Sequence, residues 1–326
     1  MRTKRELYQT AIRTVAARRQ AARVRSEDER AYTYAAVPGL KQAEEEFRAC
    51  GIRAAMCGAS GAASGQALEQ LKEAKAKMTR LLAESGRPAD WLEPRFTCKK
   101  CKDTGTLNGE TCSCVVTLMK EMRRKEIEEL SSLSIQSFDT MELRYYPDRK
   151  DPVTGRNQRR YMQQLLDDLR AYAEEFDHDS ANLLLFGNAG LGKTHAALSI
   201  AGEVLNKGYD VIYISSPDFF GRVEELHFDN DPTGEKEALI DAVTGADLLI
   251  LDDLGTEMVS PYMISVFYTL LNNRMAARRP TIFTTNITDG AVLEKRYTEK
   301  ISSRLSGSCE PFVFLGDDIR ALRAAE

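Results

Sequence analysis

The front part of the chain consists mainly of helix-forming residues, whereas the rear part alternates helix-forming stretches with short apolar runs. In the front part, segments of helix formers contain few Gly or Pro, which predicts helices at residues 2–25, 40–47 and 67–82. A charged amphipathic helix is predicted at residues 118–130. The front part therefore indicates a small helical module followed by a connecting helix.

From residue 161 onward, helical stretches alternate with short apolar runs. These runs lie at residues 183–186, 211–214, 248–251 and 281–285. Alternation of buried strands with covering helices is typical of a parallel sheet. The rear part is therefore predicted to have an α/β fold with a doubly wound parallel sheet.

Turn-rich sequence near residues 137–157 separates the two parts, and the Gly/Ser/Ala segment at 58–65 predicts a loose turn between the second and third helices. From these changes we predict four regions. They are a helical N-terminal module at 1–95, a cysteine knuckle at 96–116, a linker helix at 117–134 and the α/β domain at 135–326.

The chemistry-bearing pattern that stands out most is G-x-x-x-x-G-K-[ST], placed directly after the apolar run NLLLF and at the start of a predicted helix. Its residues are Gly187, Asn188, Ala189, Gly190, Leu191, Gly192, Lys193 and Thr194. Glycines let successive N–H groups point at a β-phosphate, and the helix N-terminus adds partial positive charge. We expect Lys193 to reach the β- and γ-phosphates of ATP and Thr194 to join the Mg²⁺ shell.

The apolar run 248–251 ends in two carboxylates, Asp252 and Asp253. This is the pattern of the Walker B strand, in which Asp252 would hold Mg²⁺ through water. Asp253 could then orient or deprotonate the attacking water. Many ATPases of this class carry Glu at the second position, so the shorter Asp253 leaves the efficiency of hydrolysis open.

Three further polar residues follow in order. Asn286 ends the run 281–285, where a γ-phosphate sensor would lie. Arg304, on a short predicted helix, could reach the γ-phosphate of a neighbouring subunit as an arginine finger, or could be an ordinary surface residue. Arg320 could also contact nucleotide, although an ordinary surface residue is favoured there.

Four of the seven cysteines form a CxxC pair and a CxC pair separated by ten residues. They are Cys98, Cys101, Cys112 and Cys114. Gly105 and Gly109 permit a hairpin between the pairs, and two such pairs can supply a tetrahedral thiolate cage. Structural Zn²⁺ is favoured over an iron–sulfur cluster or over free or redox-active thiols. Cys50, Cys57 and Cys309 have no such partners and are expected to be packing residues.

Composition and charge add limits to this picture. Hydrophobic residues make up 43% and charged residues 29% of the chain, the balance of a soluble globular protein. No segment approaches the roughly twenty apolar residues that span a bilayer, and no signal-peptide core is found, so a cytoplasmic protein without a membrane partner is expected. The net charge of −4 does not decide on nucleic acid. Candidate DNA contacts are Arg274, Arg278 and Arg279, although such helix-end charges are usually solvated.

Taken in order, the segments NLLLFGNAGLGKTH, LLILDDLGTE, TIFTTN and ISSRL resemble the AAA+ ATPase domain of bacterial DnaC/DnaI-type replicative helicase loaders and of related IstB-like ATP-binding proteins. The spacing of these segments covers about residues 135–320. The cysteine knuckle behind a helical module is similar to the loader branch of Gram-positive bacteria and their mobile elements. The N-terminal ninety residues carry less specific similarity.

The resemblance implies an initiator-type AAA+ fold that binds ATP and Mg²⁺ and hydrolyses ATP to ADP and phosphate. It also implies contact with single-stranded DNA, an ATP-dependent homo-oligomer and an N-terminal module that grips a hexameric replicative helicase. By motif, Lys193, Thr194 and Asp252 would hold nucleotide and metal. Asp253 and Asn286 would position water.

Three functions are compatible with these patterns. The first is a helicase loader, in which ATP sets the assembly state and hydrolysis releases helicase and DNA. The second is a transposition helper of the IstB kind, which forms ATP-dependent filaments on duplex DNA and recruits a transposase; the cysteine knuckle weighs against it. The third is a nucleotide-binding adaptor that scarcely hydrolyses ATP, which the shorter Asp253 keeps open.

Overall fold

The chain divides into two compact units, one formed by Ile12–Cys114 and the other by Met1–Ala11 together with Val115–Glu326. The computed structural model describes residues 1–56, 62–131, 134–229, 231 and 234–324. Of the predicted turn at 58–65, residues 58–61 lie outside the described residues and 62–65 belong to a helix. Within the described ranges, no helix is long and apolar enough to cross a membrane.

The front part of the chain is helical, as predicted, but its helices are longer than expected. They are α1 (Lys4–Ala36), α2 (Leu40–Met56) and α3 (Ala62–Glu84). The chain has no Gly or Pro between residue 25 and Pro38, so nothing stops α1 earlier. Two short antiparallel strands follow, β1 (Thr106–Leu107) and β2 (Glu110–Thr111).

The rear part alternates strands and helices around a five-stranded sheet whose neighbouring strands are all parallel. Its strands are β3 (Asn182–Phe186), β4 (Val211–Ser215), β5 (Leu248–Leu254), β6 (Thr281–Thr285) and β7 (Cys309–Val313). The helices are α4 (Ser113–Leu130), α5 (Gln158–Glu175), α6 (Lys193–Lys207), α7 (Ser216–Phe228), α8 (Glu235–Gly245), α9 (Pro261–Ala276), α10 (Gly290–Tyr297), α11 (Glu299–Ser308) and α12 (Ile319–Ala324). The predicted α/β fold with a doubly wound parallel sheet is confirmed.

Successive strand side chains point to opposite faces, and both faces of this sheet are covered. On β5, Leu248 and Ile250 pack in one apolar cluster with α5 and α6. Leu249 and Leu251 pack in the other cluster with α7, α8, α9 and α11. This burial on both sides explains why the central strands are continuous apolar runs.

The strand order is β4-β5-β6-β3-β7, so β6 lies between β3, which precedes the phosphate-binding loop, and β5, which contains Asp252. In the sequence, β4 lies between β3 and β5, but in the sheet it lies at an edge. The strand β7 was not predicted from the sequence. It contains Pro311 and, within the part of the chain that the structure describes, pairs with β3 alone; an edge strand tolerates a proline, which lacks an N–H donor.

A buried arginine joins α9 to the ends of neighbouring elements. Arg274 is 1% exposed, and its guanidinium donates to the carbonyl oxygens of Val243 (2.7 Å), Ala246 (3.0 Å) and Pro280 (2.5 Å) and to Thr281 Oγ1 (2.8 Å). Burial lowers the pKa of Arg274 to about 9. The prediction that Arg274 could contact DNA is therefore wrong, because its side chain is enclosed by the backbone of its own unit.

We expect Arg274→Ala to lower the free energy of unfolding by about 3 kcal/mol or more, because it removes a donor that several buried carbonyl groups share. Arg278→Ala is the matched control, since the Arg278 side chain is 82% exposed and pairs with the equally open Asp179. Such exposed ion pairs contribute little. Urea unfolding followed by circular dichroism measures both variants, and equal losses of stability would contradict the buried role of Arg274.

Candidate functional site

The loop between β3 and α6 has the backbone conformation that its glycines allow. Gly187, Gly190 and Gly192 have φ of 148°, 77° and 93°. A Cβ on Gly187 would lie 2.5 Å from the backbone carbonyl oxygen of Phe314, so a side chain has no room there. The loop therefore needs glycine both for its left-handed turns and for its close contact with the C-terminal segment.

The Lys193 ammonium lies inside this loop. Its Nζ donates to the carbonyl oxygens of Gly187 (2.8 Å) and Asn188 (2.7 Å) and to Asn286 Oδ1 (2.8 Å). Burial lowers the pKa of Lys193 to about 8, opposed by the two carboxylates at the end of β5. The predicted lysine and the predicted sensor asparagine are thus in direct contact.

Asp252, 2% exposed at the end of β5, accepts hydrogen bonds from three hydroxyl groups. Thr194 Oγ1 lies 3.1 and 3.0 Å from its two carboxylate oxygens, Tyr213 OH lies 2.7 Å from Oδ2, and Thr284 Oγ1 lies 2.5 Å from Oδ1. Burial and the charge of Asp252 raise the pKa of Tyr213, which keeps that phenol a donor. The structure thus brings the predicted pair Thr194 and Asp252 together.

Sequence reasoning missed Tyr213 and Thr284. Each carries a hydroxyl group inside a buried strand, Tyr213 in VIYIS and Thr284 in TIFTT. A polar group inside a fully buried strand must find a partner, and that signal was available. Their common partner, Asp252, could be found only once the strand order was known.

Asp252 and Asp253 form a bulge in β5. Where β6 has one residue, Thr284, β5 has these two. Asp253 has a φ of 55°, and its N–H donates to Thr284 Oγ1 at 2.9 Å. Adjacent residues of a regular strand point to opposite faces, whereas a bulge re-aims one of them. Both carboxylates consequently line the same cavity.

This cavity, of about 470 Å³, lies at the carboxyl edge of the sheet. The loop residues 190–194, Asp252, Asp253 and Asn286 line it. Burial, and next the charge of Asp252, raise the pKa of Asp253, while Lys193 opposes that shift. Other lining residues come from the segment before α5 and from α12, namely Met141, Tyr145, Tyr146, Ile319, Arg320 and Arg323.

For Arg320 the sequence favours an ordinary surface residue over a contact with nucleotide, and the structure is compatible with such a contact. Its side chain lines the cavity, and its positive charge lowers the pKa of Asp253. The position follows from α12, whose first residue, Ile319, donates its N–H to the carbonyl of Gly190 at 3.0 Å. Such a contact between distant segments has no local sequence signal.

Arg304 lies on α11 and does not line this cavity. Its guanidinium donates to Asn272 Oδ1 (2.7 Å), Lys300 O (3.1 Å) and Tyr268 OH (3.0 Å), and it lies over the Tyr268 ring at 4.5 Å. Any contact of Arg304 with a nucleotide would therefore involve a second subunit. Its role as an arginine finger stays a prediction.

The four predicted metal-ligating cysteines form one cluster in the helical unit. The sulfur atoms of Cys98, Cys101, Cys112 and Cys114 all lie within 4.8 Å of one another. Two of their separations are 3.8 Å (Cys98 to Cys112) and 3.5 Å (Cys101 to Cys114). A tetrahedral site with metal–sulfur bonds of about 2.3 Å has sulfur–sulfur edges of about 3.8 Å. The donor set thus fits a four-coordinate metal ion.

The backbone around the cluster is fixed by local hydrogen bonds. The buried Asp103 carboxylate accepts from the N–H groups of Thr97 (2.8 Å) and Cys98 (2.9 Å). Although burial disfavours a thiolate, hydrogen bonds from Gly105 N–H and the other thiols lower the pKa of Cys101 to about 6. Burial and the hydrogen bonds with the other three thiols raise the pKa of Cys114, so without a metal ion the thiolate, which is the form that binds metal, is favoured at Cys101 and not at Cys114. Cys50 and Cys309 lie outside the cluster, and Cys57 lies outside the described residues.

Three features together define an AAA+ P-loop nucleotide-binding domain. They are a glycine-rich loop between a strand and a helix, a carboxylate pair on a nearby strand and an asparagine directly after the strand between those two. The chain belongs to the family of IstB-like ATP binding proteins, whose profile matches residues 154–317. The family resemblance stated from the sequence is thereby confirmed.

Two kinds of known protein are similar to this chain. The replicative helicase loader DnaC of Escherichia coli K12 is 33% identical over 117 residues, which are 36% of this chain and 47% of that protein. The replicative helicase loader DnaI of Bacillus subtilis is 32% identical over 126 residues, 38% of each chain. The chain thus spans less than half the length of these relatives. A crystal structure of the DnaC helicase loader has a TM-score of 0.43 and 24% identity, and covers 53% of this chain and 99% of its own.

Proposed function

We propose that this chain is an ATP-dependent loader of the replicative DNA helicase. The observation that carries the proposal is the meeting of Lys193, Thr194, Asp252, Asp253 and Asn286 around one cavity. The similarity of the same region to loaders named DnaC and DnaI supports the choice of process. Because the family includes IstB-like proteins, a transposition helper is the outcome that competes with it.

Each residue has a role that its contacts support. Lys193 would exchange its bonds to loop carbonyls for the β- and γ-phosphates of ATP. Thr194 and Asp252 would hold Mg²⁺, which neutralises phosphate charge, and Tyr213 would keep the Asp252 carboxylate in place. Asp253 and Asn286 would position the attacking water, and the raised pKa of Asp253 suits a base.

We expect Lys193→Ala to weaken nucleotide binding at least about tenfold, because the charged donor to phosphate is lost. Asp253→Asn should bind nucleotide normally and hydrolyse it roughly 100-fold more slowly, as for the loss of a general base. Titration with a fluorescent ATP analogue and phosphate release, with and without single-stranded DNA, measure the two effects.

Lys207→Ala is the control for both measurements, since Lys207 ends the same helix α6 and donates to the carbonyls of Glu174 and Phe176. If the wild-type chain hydrolyses ATP no faster than Asp253→Asn, the chain is a nucleotide-binding adaptor, and the role of ATP hydrolysis in release is refuted.

For the cysteine cluster we propose structural Zn²⁺, since all four coordination positions are filled by protein sulfur. Elemental analysis should find about one zinc per chain. Cys98→Ser should lose it, whereas Cys309→Ser, outside the cluster, should retain it. An iron-containing, brown preparation would contradict the assignment.

The partners follow from the proposed process. The N-terminal module, proposed at residues 1–95, would contact a hexameric replicative helicase, and the domain at 135–326 would contact single-stranded DNA. Arg304 would complete the site of a neighbouring copy in an ATP-dependent homo-oligomer, after leaving Asn272 and Tyr268.

The full chain with MgATP should elute with the replicative helicase of the same genome in size-exclusion chromatography. The physical reason is that the bound nucleotide would control the stability of the complex with helicase. Lys193→Ala should therefore raise the ATP concentration that co-elution requires. Fluorescence anisotropy with a labelled single strand measures DNA binding. Elution with a transposase on duplex DNA, and not with helicase, would show a transposition helper instead.

A further inference from the structure

One buried carboxylate lies near the proposed ATP site without lining its cavity. Glu257 lies just beyond β5, four residues after Asp253, and its side chain is 1% exposed. Burying a carboxylate is costly unless donors surround it. Its environment must therefore compensate that cost.

Donors to Glu257 come from three parts of the fold. Oε2 accepts from Ser216 Oγ at 2.7 Å and from the Gly255 N–H at 3.0 Å. Oε1 accepts from Tyr297 OH and from Arg296 Nε, the latter at 3.3 Å. Ser216 begins α7, and Arg296 and Tyr297 end α10, so one carboxylate joins both helices to the turn after β5.

This turn follows directly from the bulge that carries Asp253. Asp253 has a φ of 55° and Gly255 a φ of 110°. The Thr256 hydroxyl donates to the Asp253 carbonyl at 2.8 Å, and a Cβ on Gly255 would come within 2.8 Å of Ile287. A left-handed conformation is unfavourable for a residue other than glycine and persists only where the surroundings impose it.

We propose that Glu257 is a positioning residue that holds the turn at 253–257, and with it the bulge that turns the Asp253 carboxylate into the cavity. This inference rests on the proposed function, because it concerns the water-positioning acid of ATP hydrolysis. Glu257 acts on Asp253 indirectly. It fixes the backbone at Gly255 through the hydrogen bond from the Gly255 N–H, and it ties the turn to the ends of α7 and α10. It contacts neither Lys193 nor Asp252 among the described hydrogen bonds.

Glu257→Gln tests the proposal in the full chain. The substitution keeps the shape of the side chain but removes its charge and replaces one accepting oxygen by an NH₂ donor. We expect kcat to fall about 10- to 100-fold, as misplacement of a reacting group by about 1 Å can cost the larger factor. KM and the affinity for a fluorescent ATP analogue should stay unchanged. Glu294→Gln, an exposed residue of α10, is the matched control.

A double-mutant cycle separates positioning from a merely structural role. In an Asp253→Asn background, Glu257→Gln should cause no further loss of kcat, because the group it positions is already disabled. An equal loss in both backgrounds would overturn the proposal, as would wild-type kcat in Glu257→Gln beside an impaired Asp253→Asn. If Asp253→Asn itself has wild-type kcat, the role proposed for Asp253 fails, and the positioning role fails with it.

Should Glu257→Gln unfold, as a thermal melt would reveal, Ser216→Ala and Tyr297→Phe carry the test. Each removes one donor to Glu257 and leaves the carboxylate in place. Each should lower kcat without changing nucleotide affinity. A loss of affinity that matches the loss of kcat would refute positioning, since it would indicate general damage to the site.

Discussion

The arrangement of the site depends on a bulge in β5. It lets two adjacent carboxylates, those of Asp252 and Asp253, face the same cavity. A regular strand turns neighbouring side chains to opposite faces. The bulge at Asp252 and Asp253, opposite the single residue Thr284, removes that alternation. Thr284 is at the centre of the bulge, since its hydroxyl donates to the Asp252 carboxylate and accepts from the Asp253 N–H. One threonine thus fixes both acids.

The parallel sheet brings the remaining groups to the bulge. Because β3 and β6 are neighbours and run in the same direction, the loop after β3 lies beside Asn286, and Lys193 can donate to it. The same sheet buries charged groups, which is acceptable only where each finds partners. Lys193 and Arg274 satisfy this condition largely with backbone carbonyls rather than with carboxylates.

Sequence patterns predicted the parts of this fold that are locally encoded. The phosphate-binding loop could be predicted because its glycines and Lys193 occupy fixed positions within one short segment, and strands β3 to β6 could be predicted because burial on both faces makes them apolar. The strand β7 could not, since an edge strand with Pro311 lacks that pattern. The three-hydroxyl environment of Asp252 arises from strand order, and the approach of Arg320 arises from tertiary packing.

The environments of the two acids indicate how one short segment could serve two tasks. The Asp252 oxygens accept from Thr194, Tyr213 and Thr284, so that carboxylate is held in one orientation, as a metal ligand must be. Asp253 instead has a pKa that burial and the charge of Asp252 raise, which is the direction of shift that suits a general base. Since both differences come from backbone placement, the turn held by Glu257 influences the chemistry without touching the reacting atoms.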